Sequence, residues 1–322
     1  MDAGDLAVFA TVARARGITR AAEALNTVQS NVTQRIRLLE AELGVPLFHR
    51  HSRGVTLTSA GARLLPYAER IALLIDEAKR AAADGPVPRG RITIGALETA
   101  TAVRLPPVLS RYATACPEVD IQIHTGTSAE LIDAVLAYRL EAAFVAGPVN
   151  HPDLLALPLL EEELVVVTPP WAAGPEGLAT RPADMLKVLV FRSGCSYRAR
   201  LEALLAARGL VNVRRLEFGT LDGIIGCVGA GIGVTMLPRA VVAKAAAEGR
   251  VALQALPADE ARVETVLVRR RDAFVSTALS RFIEIAREHL APGAATGQTA
   301  ERPRPTSSGA AERRAAAIPS TT

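Results

Sequence analysis

The stretch Gln29-Ser30-Asn31-Val32-Thr33-Gln34-Arg35-Ile36-Arg37-Leu38-Leu39-Glu40-Ala41-Glu42-Leu43 has two faces when wound as a helix. Val32, Ile36, Leu39 and Leu43 follow steps of four and three and lie within about 60° of one another on a helical wheel, an apolar stripe that calls for packing. The opposite face offers Ser30, Thr33, Gln34 and Arg37, with Gln29 and Asn31 projecting from the first turn. Short or planar hydrogen-bonding groups of this kind suit base edges in a DNA major groove, where Gln and Asn pair with adenine and Arg with guanine. The plainer alternative is a solvated helix face, although such faces are usually richer in Glu and Lys.

Upstream, Leu6, Phe9 and Ala13, then Ala21, Ala22 and Leu25, repeat at helical spacing, with Gly17, Asn26 and Gly44 as punctuation. Downstream, Leu47–Phe48 and Val55–Leu57 read as short strands around the turn His51-Ser52-Arg53-Gly54. Three helices and a strand pair over residues 1–58 form the winged helix-turn-helix pattern. Between Gln29 and Arg63, Arg35, Arg37, Arg50, Arg53 and Arg63 face only Glu40 and Glu42, with His49 and His51 beside the turn. Arg50 and Arg53 flank the wing, where they are expected to neutralise phosphates next to the groove that the helix enters.

Residues 59–90 read as a linker. One long helix is expected from Ser59 to Ala83, with Leu64, Ala68, Ile71, Ile75, Ala78 and Ala82 as a coiled-coil seam. Packing of that seam on its own domain is the alternative to pairing with a second copy. Pro66 is expected to kink or restart the helix, because it lacks an N–H and crowds the preceding turn. The run Gly85-Pro86-Val87-Pro88-Arg89-Gly90 ends the segment.

From Arg91 to Leu290 strands and helices alternate, predicting an α/β region with largely parallel sheets. Expected strands include Arg91–Leu97, Asp120–Thr125, Ala142–Gly147, Leu164–Thr168 and Glu264–Arg269, and a single helix is expected near Thr101–Ala115. Residues 291–322 are Ala, Pro, Ser, Thr, Gly and Arg with few bulky apolar groups, and are expected to be disordered.

The 322 residues exceed what one hydrophobic core usually serves. With 49% hydrophobic and 22% charged residues the composition is that of a soluble globular chain. No basic leader precedes an apolar run, and no stretch approaches the roughly 18 uninterrupted apolar residues of a membrane helix. Cys116, Cys195 and Cys227 are odd in number and widely spaced, so a disulfide framework is not expected. With five histidines they make no zinc spacing either; no metal or cofactor is expected, and a reducing cytoplasm is the expected setting. The net charge of +4 is carried almost wholly by arginine, since only Lys79, Lys187 and Lys244 are lysines.

The stretch Asp5 to Gly61 resembles the DNA-binding domain of LysR-type transcriptional regulators. Phe9, Ala21-Ala22, Leu25, Gln29, Ile36, Leu39-Glu40, Leu43-Gly44, Leu47-Phe48, Arg50, Leu57-Thr58 and Ala60-Gly61 carry the resemblance. It continues through the linker helix and the α/β region to about Leu290. One departure is Val28, which stands where many relatives place Ser or Thr before the recognition-helix Gln; the cap then passes to Thr27 or is lost.

The resemblance implies a regulator that binds double-stranded promoter DNA, pairs through its linker helix, and assembles as a homotetramer, with RNA polymerase as a further partner. Its base or near-base contacts would be Gln29, Ser30, Asn31, Thr33, Gln34 and Arg37, with Arg50 and Arg53 on phosphates. It further implies that residues 91–290 form a periplasmic-binding-protein-like effector domain of two α/β lobes, about 91–165 with 268–290 and about 166–267. Two crossover strands would join them, with a small-molecule effector between. Thr99, Thr101, Thr127, Ser128, Ser193, Cys195, Arg198 and Thr220 are the implied effector contacts. The hydroxyls have an alternative as helix caps, and Thr127 with Glu130 fits a capping box. Helix N-termini at such a cleft favour a small organic anion, clamped by Arg192 or Arg198 unless these sit in surface salt bridges. A thiol enzyme or redox sensor built on Cys195, and a stand-alone solute-binding protein, are the competing classes. The first lacks an evident His base, and the second would not carry a basic helical domain. The series Gly229, Gly231, Gly233 follows an expected helix rather than a strand, so it does not read as a phosphate cradle.

Overall fold

Asp2 opens the first helix, α1 (Ala3–Ala15), with a capping box in which the Asp2 and Asp5 carboxylates each accept the other's backbone N–H. A computed structural model describes residues 1–52, 54–172 and 187–290, so Arg53 and the expected tail 291–322 lie outside the described residues. After α2 (Ile18–Ala24) comes α3 (Gln29–Leu43), which buries Val32, Ile36 and Leu39 against Phe9, Val12, Ala21 and Leu47. Leu43, expected on the same stripe, is 37% exposed, because it ends the helix just before Gly44 turns left-handed at φ 69°. Strands β1 (Phe48–His51) and β2 (Gly54–Leu57) pair antiparallel as the wing, and Phe48 packs its ring 5.3 Å from that of Phe9.

The linker helix α4 (Ser59–Ala83) starts at a Thr58 cap, where the hydroxyl accepts from Gly61 N, and runs as one element through Pro66. The expected restart is therefore absent. A Cβ on Gly61 would stand 2.2 Å from the Leu47 carbonyl oxygen, so only glycine lets α4 start this close to the wing. Leu64, Ala68 and Ile71 pack on the N-terminal core, which leaves the later seam positions Ala78 and Ala82 exposed.

The α/β region follows in the order β3 (Gly90–Ala96), α5 (Glu98–Val103), α6 (Leu105–Ala115), β4 (Val119–Thr125), α7 (Ser128–Leu136), β5 (Ala142–Ala146) and β6 (Leu154–Thr168). Then come β7 (Lys187–Phe191), α8 (Ser196–Ala207), β8 (Arg214–Phe218), α9 (Leu221–Gly229), β9 (Thr235–Pro238), α10 (Arg239–Ala247) and β10 (Ala252–Ala255). Last are α11 (Ala258–Ala261), β11 (Arg262–Arg270) and α12 (Thr277–Leu290). The single helix expected at Thr101–Ala115 is two helices broken at Arg104, because Pro106 and Pro107 supply no N–H to continue the first.

The sheets are mixed rather than largely parallel. β3 pairs parallel with β4 and β5, and β7 pairs parallel with β8. β6 and β11 instead run antiparallel from Arg262 opposite Glu163 to Arg270 opposite Leu154. β6 begins ten residues before the expected strand at Leu164; Pro158 and the run Glu161-Glu162-Glu163 hid its alternation, and the register shifts between Thr265 and Val266 opposite that proline. The last turns of β6 pair with β9 and β10, so this strand links two α/β bodies. We refer to β3–β5 with α5–α7 and α12 as the first lobe and to β7–β9 with α8–α10 as the second. The first packs around Tyr112, Phe144 and Phe282, the second around Leu189, Ile224, Val228 and Leu237. No helix among the described residues is long and apolar enough to cross a membrane.

Candidate DNA interface and ligand cleft

Burying Val32, Ile36 and Leu39 turns the other side of α3 outward. Gln29, Ser30, Thr33, Gln34 and Arg37 line one shallow exposed face with Leu38 and Ala41. Arg37 has no hydrogen-bond or ion-pair partner among the described residues, and its guanidinium keeps all its donors for an outside group. Arg35 differs: it pairs with Asp5 at 2.8 Å and Asp2 at 3.3 Å, tying α3 to α1. Arg50 on the wing lies 3.5 Å from Glu40, whose other carboxylate oxygen accepts from Leu47 N and Phe48 N. Val28 is the N-cap residue of α3 and gives no side-chain cap; Thr27 does not take over, because its hydroxyl accepts from Asn31 Nδ2 at 3.0 Å. Asn31 is thus turned towards the preceding loop, beside the face rather than in it. The expectation for Arg53 lies outside the described residues.

The two lobes meet at a cleft lined by Leu97, Glu98, Thr99, Thr125, Gly126, Thr127, Phe191, Arg192, Cys195, Tyr197 and Gly219. These residues follow the carboxyl ends of β3, β4, β7 and β8, where open α/β sheets place their ligands. Of the expected contacts the cleft gathers Thr99, Thr127 and Cys195. The others lie outside its lining. Thr101 Oγ1 donates to the Leu97 carbonyl within its own helix, and Ser128 Oγ accepts from Ala146 N and from Ser196 Oγ. Thr220 caps α9 through Gly223 N, and Ser193 is exposed outside the lining. Arg198 is bonded to Glu217 at 2.7 Å and Glu202 at 3.2 Å.

Thr127 closes the capping box that its spacing predicted, so the same hydroxyl caps α7 and faces the cleft. The backbone N–H of Thr127 holds the Glu130 carboxyl below its ordinary range. Arg192 lies 4.0 Å from Glu130 and is 63% exposed. Tyr197 is buried behind Thr99, with which it shares a side-chain hydrogen bond, and burial pushes its hydroxyl up to about 12. Beside it Arg104 donates to both oxygens of Glu162, at 2.8 and 2.6 Å. Burial pushes the Cys195 thiol up as well, against the backbone N–H groups of Arg198 and Tyr197 that favour its thiolate. No histidine lines the cleft among the described residues, so Cys195 has neither the base nor the lowered pKa that nucleophilic or redox chemistry needs.

Several contacts bridge the lobes directly, among them Ser196 to Ser128, Arg192 to Glu130 and Arg200 to the Gly147 carbonyl. Glu98 Oε1 accepts from Leu221 N at 2.7 Å, placing a first-lobe carboxylate on the N-terminus of a second-lobe helix. Gly194, at φ 91°, passes so near the first lobe that a Cβ would lie 2.8 Å from Thr127 Oγ1, and its carbonyl accepts from Ala129 N at 3.3 Å. Glu98, Phe191 and Tyr197 were not singled out by sequence reasoning, which sought hydroxyls and anion donors. The visible signal for Glu98 was its place directly after a strand.

Residues 4–62 match the family described as "Bacterial regulatory helix-turn-helix protein, lysR family", and residues 86–291 match the "LysR substrate binding domain". The chain belongs to the LysR family. It is 43% identical over 285 residues to the HTH-type transcriptional regulator GltR of Bacillus subtilis, covering 88% of this chain and 96% of that one. It is 40% identical over 284 residues to the HTH-type transcriptional regulator SoxR of Arthrobacter, covering 88% and 96%. In fold it matches the crystal structure of full-length CbnR complexed with its target DNA, at a TM-score of 0.63 and 23% identity over 89% of this chain and 99% of that one. As a LysR regulator it is a DNA-binding transcription factor with an effector-binding domain, and not an enzyme.

Proposed function

We propose that this LysR regulator reads its operator with Gln29, Ser30, Thr33, Gln34 and Arg37, while Asn31 borders the contact and Arg50 and Arg53 lie on phosphates. The observation that carries this reading is the exposed face of α3, where two amides, two hydroxyls and an arginine with no partner among the described residues stand opposite the buried Val32, Ile36 and Leu39. The amides suit adenine and Arg37 suits guanine in the major groove. Two such domains in a symmetric assembly read two half-sites of an inverted repeat. Pairing through α4, assembly into a homotetramer and contact with RNA polymerase belong to the same proposal.

The regulatory ligand is a small organic molecule that presents an anionic group to Arg192 in the cleft, with Thr99 and Thr127 beside it. Its entry changes the fit of the two lobes that Glu98–Leu221 and Gly194–Ala129 hold together. Regulation follows only if the ligand binds the two arrangements with different affinity.

Fluorescence anisotropy of the full chain with labelled DNA from upstream of its own gene, against scrambled DNA across a salt series, tests the first part. The expected result is tight binding to the upstream DNA with a steep loss of affinity as salt rises, since phosphate neutralisation releases counterions. A folded protein that binds neither DNA at low salt would overturn it.

A further inference from the structure

We infer that the ligand taken by this cleft is a zwitterion, a small molecule that carries an ammonium group as well as a carboxylate, as an α-amino acid does. The inference rests on the cleft being the regulatory site. Its lining holds one acidic and one basic side chain, Glu98 and Arg192. Glu98 uses Oε1 to accept from Leu221 N, and its second oxygen has no partner among the described residues. A carboxylate accepts at up to about four lone-pair positions, so most of its capacity faces the cleft.

That carboxylate also neutralises the N-terminus of α9. A ligand bearing only negative charge would meet it as a like charge, which half-buried surroundings make costly. A ligand with an ammonium group turns the same feature into a charged hydrogen bond. Across the cleft, Arg192 is bound to Glu130 only by a 4.0 Å ion pair, while Glu130 is already committed to the Thr127 capping box. Its fork of donors is therefore available to a carboxylate. Leu97 and Phe191 supply apolar wall for a side chain.

Calorimetric titration of the full-length protein with each of the twenty common α-amino acids, and with the α-hydroxy acid matching each binder, tests this on the natural chain, Glu98→Gln and Arg192→Ala. Glu98→Gln keeps an oxygen to accept from Leu221 N, so it removes the charge and spares the bridge. The expected result is that at least one amino acid binds, and that its hydroxy acid binds roughly tenfold to a hundredfold more weakly, the range for a hydrogen bond to a charged group. Glu98→Gln erases that difference, because it weakens the amino acid and removes the like charge that the hydroxy acid meets; retained hydroxy-acid binding marks an intact site, and Arg192→Ala weakens both ligands.

If the hydroxy acid binds as tightly as the amino acid, or Glu98→Gln leaves the gap intact, the zwitterion is overturned, while a loss at Arg192→Ala still upholds the cleft. If binding ignores both substitutions, the ligand lies elsewhere and the cleft reading falls too. If no amino acid binds, the zwitterion inference is wrong.

Discussion

Arg35 and Arg37 stand two positions apart in one helix and do different work. Arg35 points inward to Asp2 and Asp5 and fastens α3 to α1, whereas Arg37 points out and has no partner among the described residues. The same contrast sets apart Gln29, whose amide oxygen is only loosely met by the Thr19 hydroxyl at 3.5 Å. Gln29→Ala should therefore lower discrimination between operator and random DNA by about 1–3 kcal/mol and leave random-DNA affinity nearly unchanged. Equal losses on the two DNAs, measured by anisotropy, would remove Gln29 from base reading. In the ligand domain the residue to test is Glu162, only 7% exposed and bonded by both oxygens to Arg104. Glu162→Gln leaves the arginine short of its counter-charge and should cost about 2 kcal/mol, less than for a fully buried pair because Arg104 reaches solvent. A thermal midpoint lower by roughly 4–8 °C is the expected reading in a domain of this size.

At the scale of elements, α3 enters without a side-chain cap, since Val28 holds the N-cap position with its side chain 65% exposed. Val28→Ser removes almost no packing and adds an acceptor for an unpaired first-turn N–H, so it should stabilise the N-terminal domain by about 1 kcal/mol. A urea midpoint that does not rise would mean that the first-turn N–H groups gain nothing from the hydroxyl. The loop from β7 into α8 makes the opposite case. Gly194 combines φ 91° with a close approach to Thr127, and an alanine there would press on the hydroxyl that caps α7. Gly194→Ala should cost about 1–2 kcal/mol from the left-handed backbone alone and weaken ligand binding by holding the lobes apart. Unchanged ligand affinity in titration would show that the lobes tolerate the extra methyl.

For the whole molecule, α4 divides its seam between two tasks. Leu64, Ala68 and Ile71 close the core of the N-terminal domain, while the far end meets the ligand domain, where Glu77 accepts from Phe274 N and Asp84 from Thr277 N. Arg70 and Arg270 stack on Tyr138 at 5.1 and 4.4 Å between the same two parts. Pairing of two copies through the linker then depends on the later seam. Ala78 is exposed in the single chain, so Ala78→Glu should spare its fold. A charge placed in a paired apolar seam carries a desolvation cost of several kcal/mol, and the dimer dissociation constant should rise more than about tenfold. Sedimentation equilibrium that finds the dimer unchanged would move the pairing surface off this helix.

Local order was what the chain order alone determined. Helix periodicity, the Thr127–Glu130 capping box, the wing turn and the bounds of α4 all depend on residues within a few positions of one another, and these were legible. So was the outward face of α3, because the buried stripe fixes its opposite. Partners far along the chain were decided only by the tertiary structure. β6 reads as mere loop before Leu164 until β11, about a hundred residues later, pairs with it across Pro158. Thr101, Ser128, Ser193 and Thr220 follow or flank strands just as Thr99 and Thr127 do, and no local pattern separates those that cap from those that face the cleft. Glu98 carries the same lesson: its carboxylate matters because a helix start 123 residues away is brought onto it. Periodicity encodes which way a side chain points, but the group it meets there is set by the packing of elements that sequence distance does not order.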